Sequence, residues 1–132
     1  MKESILKLYE ERPTSYTNEH RKLFSDFLTA LNKGEIRACE PQANGWKVNG
    51  WVKMGILVGF RMGELTAIPY SEHKQFFDKD TIQERQFSLK DKIRIVPGGS
   101  SARNGCYLAP GVTIMPPAFI NIGAYVDRKS VV

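Results

Sequence analysis

The chain has little of what most catalytic and extracellular signatures require. Its 132 residues include two cysteines, Cys39 and Cys106, and two histidines, His20 and His73. Two cysteines do not make a disulfide framework, so we expect free thiols, with Cys106 buried. The sequence contains no Walker loop, no Gly-x-Ser-x-Gly elbow and no Cys-x-x-Cys pair. These absences exclude the common nucleotide-hydrolysing, serine-hydrolase and dithiol sites.

Long apolar runs and dense clusters of charge are missing as well. No apolar stretch approaches the roughly 18 residues that a membrane span needs. No apolar segment follows the polar start Met-Lys-Glu-Ser, so a signal peptide is not expected. The net charge of +5 is spread along the chain rather than concentrated in a patch for nucleic acid or a membrane surface. We therefore expect a cytoplasmic protein with neither of these partners.

What the sequence does have is a six-residue repeat from Val96 to Val126. Internal repeats of this kind determine a fold more directly than local propensity. The first place of each six is apolar, and it holds Val96, Ala102, Leu108, Ile114, Ile120 and Val126. The fifth place is compact, and it holds Ser100, Cys106, Val112, Ala118 and Ala124. The fourth place holds Gly99, Gly105, Gly111, Pro117 and Gly123.

Each six is predicted to be a short strand followed by a corner. The first and fifth places point inward, and glycine at the fourth place permits a bend with positive φ. Stacked sixes form a prism with three parallel sheets, the left-handed parallel β-helix of hexapeptide-repeat proteins. The alternative is a loop rich in glycine and proline with scattered apolar residues. Three columns that hold register over five units argue against it.

The part before the repeat is predicted to be mostly helical. Apolar spacing indicates helices over 4–12 and from Thr17 or Asn18 to Lys33, the second ended by Gly34. Residues 36–40 and 45–48 are predicted as two short strands, and 51–61 as a helix capped by Asn49, with a buried strand as the competing interpretation. Residues 62–90 are predicted to be irregular, with a short strand near Ala67. The fold class is thus α+β, with a helical N-terminal domain over 1–91, the first turns of the β-helix over 92–126 and a tail over 127–132.

Four segments resemble one enzyme family in their order and spacing. They are Val48–Arg61 (Val-Asn-Gly-Trp-Val-Lys-Met-Gly-Ile-Leu-Val-Gly-Phe-Arg), Phe76–Lys79 (Phe-Phe-Asp-Lys), Arg94–Pro97 (Arg-Ile-Val-Pro) and Asn121–Asp127 (Asn-Ile-Gly-Ala-Tyr-Val-Asp). On these segments the chain resembles tetrahydrodipicolinate N-succinyltransferases over nearly its whole length. The resemblance implies transfer of a succinyl group from succinyl-CoA to the amine of tetrahydrodipicolinate, in lysine and diaminopimelate synthesis. It also implies homotrimers with active sites between neighbouring β-helices.

The resemblance implies one site residue in this chain. Arg94 matches the family arginine that binds the dicarboxylate substrate, and an arginine at a strand end with a purely structural role is the alternative. No catalytic residue is assigned, because the family's aspartate lies a few positions beyond Asp127. Trp51 and Phe60 are read as core residues, and Phe77, Asp78 and Lys79 as packing and surface structure. No bound cofactor or metal is expected, and succinyl-CoA is the co-substrate.

The end of the chain departs from the family pattern. Residues 128–132 (Arg-Lys-Ser-Val-Val) are expected to fit neither the family nor the repeat, and we interpret this tail as a truncation artefact. The chain alone is then expected to be an inactive fragment. Two other readings stay open, namely another hexapeptide-repeat acyl- or nucleotidyltransferase and a non-catalytic assembly or binding module.

Overall fold

The structure, a computed structural model, describes all residues 1–132. It contains three α-helices, one 3-10 turn (Leu89–Asp91), two antiparallel hairpins and six strands of two residues each. The helices are α1 (Lys2–Glu11), α2 (Asn18–Lys33) and α3 (Gly50–Met62). The hairpin strands are β1 (Cys39–Gln42), β2 (Gly45–Val48), β3 (Leu65–Ser71) and β4 (Lys74–Lys79). The short strands are β5 (Arg94–Ile95), β6 (Ser101–Ala102), β7 (Tyr107–Leu108), β8 (Thr113–Ile114), β9 (Phe119–Ile120) and β10 (Tyr125–Val126).

Helix α2 begins and ends where the sequence predicts. The hydroxyl of Thr17 accepts a hydrogen bond from the His20 backbone N–H at 3.2 Å, which satisfies one free donor of the first turn. At the other end Gly34 adopts the left-handed conformation with φ 72°, and its N–H bonds back to the last turn. The predicted cap and terminator are both confirmed.

Helix α3 is confirmed as a helix, and its two glycines have a packing reason. A Cβ on Gly55 would lie 2.6 Å from the ring of Phe27, and one on Gly59 would overlap the ring of Phe24. The glycines let α3 approach α2 closely enough to bury both rings, which offsets their poor helix propensity. Asn49 occupies the cap position, but its side chain donates to the Arg37 carbonyl at 2.9 Å instead of capping the helix.

The hairpins differ from the prediction. Strand β1 lies three residues later at its start than expected, so that Pro41 and Gln42 belong to the strand and the turn is Ala43–Asn44. The short strand predicted near Ala67 is confirmed as β3, but the prediction that the rest of 62–90 is irregular is wrong for β4, which pairs with β3 in an antiparallel hairpin. Both strands are largely exposed and carry polar residues among the aromatics, so the apolar alternation that marks a half-buried strand is weak.

The short strands pair in parallel with partners about 18 residues away. Strand β6 pairs with β9 and β7 with β10 at a separation of 18 residues, while β5 pairs with β8 at a separation of 19. The extra residue falls in the Gly98–Gly99 corner and puts Ile95, rather than Val96, opposite Ile114. The prediction for Val96 is thus one residue out of register, and neither Val96 nor Ile95, which is 41% exposed, is buried at this end of the repeat.

The inward placement of the other apolar columns is confirmed where the sheets overlap. Ala102, Leu108, Ile114 and Ile120 are buried, as are Cys106 and Val112. The corners carry left-handed backbone, including Lys92, Gly111 and Lys129 with φ of 55°, 91° and 62°. The backbone of the tail differs from expectation, because Val131 bridges Thr113, again 18 residues away.

Two apolar cores hold the molecule together. The first joins the three helices, with Ile5, Phe24, Phe27, Leu31, Val52, Met62 and Ile82 among its buried members. The second fills the repeat. Ile122, from a corner of the repeat, belongs to the first core, and Asn32 of α2 accepts a hydrogen bond from Gly105 N–H at 2.8 Å. The repeat is thus fixed against α2 through its corners.

Candidate functional site

The three small parallel sheets present three outward faces, and the one formed by β7 and β10 is covered. Its outward side chains, Tyr107 and Tyr125, have ring centroids 4.4 Å apart. They face the end of α2, where a Cβ on Gly34 would lie 3.0 Å from the Tyr107 ring. The guanidinium of Arg37 lies 3.6 Å from the centroid of Tyr125. This face is therefore occupied by the N-terminal part of the chain.

The face formed by β5 and β8 carries Arg94 beside Thr113. The two residues are direct partners in the ladder, and the Arg94 N–H donates to the Val112 carbonyl at 2.9 Å. Strand β5 pairs only with β8, whose other edge bonds to residues 130–132. Arg94 is exposed, and its guanidinium takes part in no hydrogen bond or ion pair. The backbone fixes where this arginine sits, and all five of its N–H donors stay free.

The groups next to Arg94 in the chain are mostly cationic. Lys92 and Lys90 lie two and four residues before it, with Asp91 between them. The Asp91 carboxylate accepts hydrogen bonds from the Ser88 N–H at 2.7 Å and from the Ser88 hydroxyl at 3.2 Å. These bonds, the backbone one first, lower the pKa of Asp91. The aspartate is bound to its own turn, so it leaves Arg94 available to an external anion.

An arginine in this setting is suited to a carboxylate. The planar guanidinium can donate two parallel hydrogen bonds to a carboxylate, with a geometry that a lysine ammonium does not offer. The predicted role of Arg94 in binding a dicarboxylate stays a prediction, and its open position on β5 is compatible with it.

The remaining residues of the quoted segments lie elsewhere. Trp51 packs edge-on to Phe27, with centroids 5.9 Å apart, and Phe60 packs against the first core, so their assignment to the core is confirmed. Lys79 donates to the Gly63 carbonyl at 2.9 Å, while Phe77 is an exposed surface residue. The carboxylate of Asp127 accepts from the Arg128 N–H at 2.7 Å and faces solvent.

Sequence reasoning missed Arg103, which organises a second concave region. Arg103 donates to Asp78 at 2.8 Å and has the rings of Phe60 and Phe119 near its guanidinium, at 5.5 and 5.7 Å. The face of β6 and β9 and the β3–β4 hairpin enclose a cleft of about 460 Å³ above this ion pair. Arg103 stands between Ala102 and Asn104 in the sequence, and no local pattern there indicates its partner Asp78.

The histidines and cysteines have structural surroundings. His20 Nδ1 accepts from the Thr17 N–H at 3.2 Å at the start of α2, and His73 lies in the exposed turn of the second hairpin. Cys106 is a fully buried free thiol, as predicted, and burial raises its pKa. No three side chains of histidine, cysteine, aspartate or glutamate gather to hold a metal ion. None of the helices has the length and apolar character of a membrane span.

A family model and individual relatives both link the chain to the same group of enzymes. Residues 1–62 match the family described as tetrahydrodipicolinate N-succinyltransferase N-terminal. The chain is also similar to three 2,3,4,5-tetrahydropyridine-2,6-dicarboxylate N-succinyltransferases. The enzyme from Afipia carboxidovorans is 38% identical over 112 residues, which are 80% of this chain and 39% of the relative. The enzyme from Rickettsia prowazekii is 40% identical over 79% of this chain and 39% of the relative, and that from Herminiimonas arsenicoxydans is 34% identical over 86% and 42%.

All three relatives are named as transferases of an acyl group, and the resemblance extends from the helices into the repeat. Residues 1–62 match the N-terminal part of the tetrahydrodipicolinate N-succinyltransferase family, and the chain is similar to the N-terminal part of these relatives. It spans about two fifths of the length of the curated relatives it matches.

Proposed function

We propose that this chain is the N-terminal part of an enzyme that transfers succinyl from succinyl-CoA to the amine of tetrahydrodipicolinate, in lysine and diaminopimelate synthesis. Similarity to enzymes named for this reaction supports it. The observation that carries the substrate assignment is the exposed, unpaired guanidinium of Arg94 on the open face of β5 and β8.

In the proposed reaction Arg94 binds one carboxylate of the substrate. The amine nitrogen attacks the thioester carbonyl of succinyl-CoA, the carbon–sulfur bond breaks, and the products are the N-succinyl amide and CoA. The amine gives up a proton to a base, and no residue of this chain is assigned that role. What Arg94 supplies is orientation, because a carboxylate held at two points fixes the distance between amine and thioester.

The same proposal covers the fold and the assembly. Residues 92–126 would open a left-handed parallel β-helix that follows an N-terminal domain over 1–91. The 18-residue steps and the left-handed corners support this reading. In the whole enzyme three copies would associate, with the Arg94 face at a boundary between neighbours, in the cytoplasm and without nucleic acid.

A chimera tests the proposal directly. Residues 1–126 of this chain replace the matching part of the Rickettsia prowazekii relative, and thiol release from succinyl-CoA is measured with tetrahydrodipicolinate. We expect activity in the chimera and a fall in kcat/KM of about tenfold or more in Arg94→Lys, since a two-point contact becomes a point charge. Arg12→Lys is the matched control, because Arg12 is an exposed arginine at the end of α1.

Two results would contradict the proposal. Equal kcat/KM in the chimera and its Arg94→Lys variant would contradict the assignment of Arg94. A folded chimera that releases thiol at the same rate when tetrahydrodipicolinate is left out would contradict the proposed transfer reaction. The purified 132-residue chain alone is expected to release no thiol.

A further inference from the structure

We propose that the cleft between the β3–β4 hairpin and the β6–β9 sheet is a separate binding site, and that it takes a small aromatic monocarboxylate. The cleft has a volume of about 460 Å³, within the range of small-molecule sites. It does not include Arg94, so the inference does not depend on the proposed function.

The walls of the cleft are aromatic and uncovered. Tyr70 and Phe76 lie on the hairpin with ring centroids 5.2 Å apart, at an interplanar angle of 65°. Phe119 lies on the repeat side. The three side chains keep 64%, 46% and 61% of their surface exposed, although they line a concave space. A flat apolar molecule between them would remove that surface from water and offer ring-to-ring contact.

The charges in the cleft indicate the sign of the ligand. At one side Arg103 and Asp78 neutralise each other across 2.8 Å. Lys74 is different, since its ammonium lies 5.3 Å from the Tyr70 centroid and 5.1 Å from the Phe76 centroid and has no carboxylate partner. A cation held against two rings and lacking a counter-ion is placed to receive an anionic group at the edge of a stacked ring.

The acidic residues of the cleft limit that anion to a single charge. Glu84 lines the cleft without an ion-pair partner, and its backbone bridges to Arg103. A second carboxylate on the ligand would lie near Glu84 or Asp78, where like charges repel. Ser101 adds a hydroxyl with no hydrogen-bond partner inside the protein. One carboxylate on an aromatic body fits this arrangement.

The hairpin is built so that it can adjust to such a ligand. Strands β3 and β4 pack mainly against each other. Their polar connections to the rest of the protein lie at the base of the hairpin, where Lys79 binds the Gly63 carbonyl and Asp78 binds Arg103. The tip carrying Tyr70 and Lys74 is therefore free to approach Phe119. Closure of the two walls on a ring would order the tip.

The test is a titration of the full 132-residue chain followed by NMR, with 3-phenylpropanoate as probe. We expect saturable shifts confined to the amides of the cleft. Lys74→Gln should weaken binding about tenfold, because a charge-assisted hydrogen bond is lost, while the exposed helix residue Lys53→Gln should leave it unchanged. Phe119→Leu should also weaken binding, whereas 2-phenylethylamine, which has the opposite charge, should bind at least about tenfold more weakly.

Several outcomes would overturn the proposal. They are the absence of saturable shifts, equal binding of the amine and the carboxylate, and unchanged binding in Lys74→Gln. Cleft shifts that follow protein concentration rather than probe would assign these rings to contact with a second copy and overturn it as well. Far-UV circular dichroism of each variant confirms that it is folded.

Discussion

Arg103 and Asp78 form the one ion pair that joins the repeat to the second hairpin, with Nη2 and Oδ2 2.8 Å apart. The side chain of Arg103 is only 19% exposed to solvent, and that of Asp78 only 30%. Screening by solvent is weaker for such a pair than for an exposed one, and removal of one partner leaves the other charge partly desolvated.

The first prediction concerns this pair. Asp78→Asn and Arg103→Gln should each lower the free energy of unfolding by about 1–2 kcal/mol, and the double variant should lose less than the sum of the two. Urea denaturation of the four proteins measures the coupling. The exposed pair of Lys22 and Asp26 is the control, and Lys22→Gln should change stability by less than about 0.5 kcal/mol. Strict additivity of the Asp78 and Arg103 effects would show that the pair contributes no coupling energy.

The second prediction concerns the glycines of α3. Gly59→Ala improves helix propensity by about 1 kcal/mol but inserts a methyl group into the ring of Phe24. The overlap should prevail, with a net loss of about 1–3 kcal/mol in urea denaturation. Gly50→Ala lies in the same helix with open space around its Cβ, and it should be neutral or slightly stabilising. A Gly59→Ala variant as stable as the parent would mean that the two helices can separate without cost.

The third prediction compares two corners of the repeat. Gly105 and Gly111 have nearly equal φ values, 90° and 91°, so asparagine meets the same backbone strain at both. A Cβ on Gly105 would lie 2.6 Å from Ile122 and 2.9 Å from Leu28, while that on Gly111 meets nothing within 4 Å. Gly105→Asn should therefore cost about 1–3 kcal/mol more than Gly111→Asn. Thermal unfolding of the two variants measures the difference, and equal melting temperatures would contradict it.

The fourth prediction concerns pH. Burial, opposed by the weaker effect of Arg85, raises the pKa of Cys106 above 9.0 in the folded protein. The buried, protonated thiol of Cys106 contributes its full share of stability below pH 9.0. That share is lost as the pH rises toward the raised pKa. The free energy of unfolding should thus fall more steeply above about pH 9 in the parent than in Cys106→Ala. Parallel pH profiles of the two proteins would contradict the buried, protonated thiol.

The sequence predicts most of the fold where local chemistry and packing agree. Thr17 and Gly34 mark the ends of α2, and the spacing of small and aliphatic residues marks the inward columns of the repeat. It does not predict β4, because Phe76 and Phe77 point to opposite faces of a hairpin that is mostly exposed. It also places Val96 one residue out of register, because one extra residue in a corner cannot be located by counting sixes.

The residues of the two candidate sites also differ in how far the sequence predicts them. Arg94 was found by resemblance, and its exposure is a consequence of which sheet face the helices leave uncovered. Arg103 could not be found from the sequence, since its partner Asp78 lies 25 residues earlier on another element. A contact of that kind depends on how the hairpin and the repeat pack, and no local pattern encodes it.

The corner formed by Lys92 and Gly111 has a consequence for how such chains diverge. The same left-handed backbone is occupied there by glycine in one coil and by lysine at the position that precedes it in the stack. A side chain at this corner meets no neighbouring atom, so its only cost is the strain of the left-handed backbone. Contacts elsewhere in the coil can offset that strain, and glycine is therefore not required there. At the corner of Gly105 the neighbouring side chains leave no room, and glycine is required. Coils of this architecture are therefore free to lose their glycine signature along one edge first, and a relative can keep its complete stack while its repeat fades from the sequence.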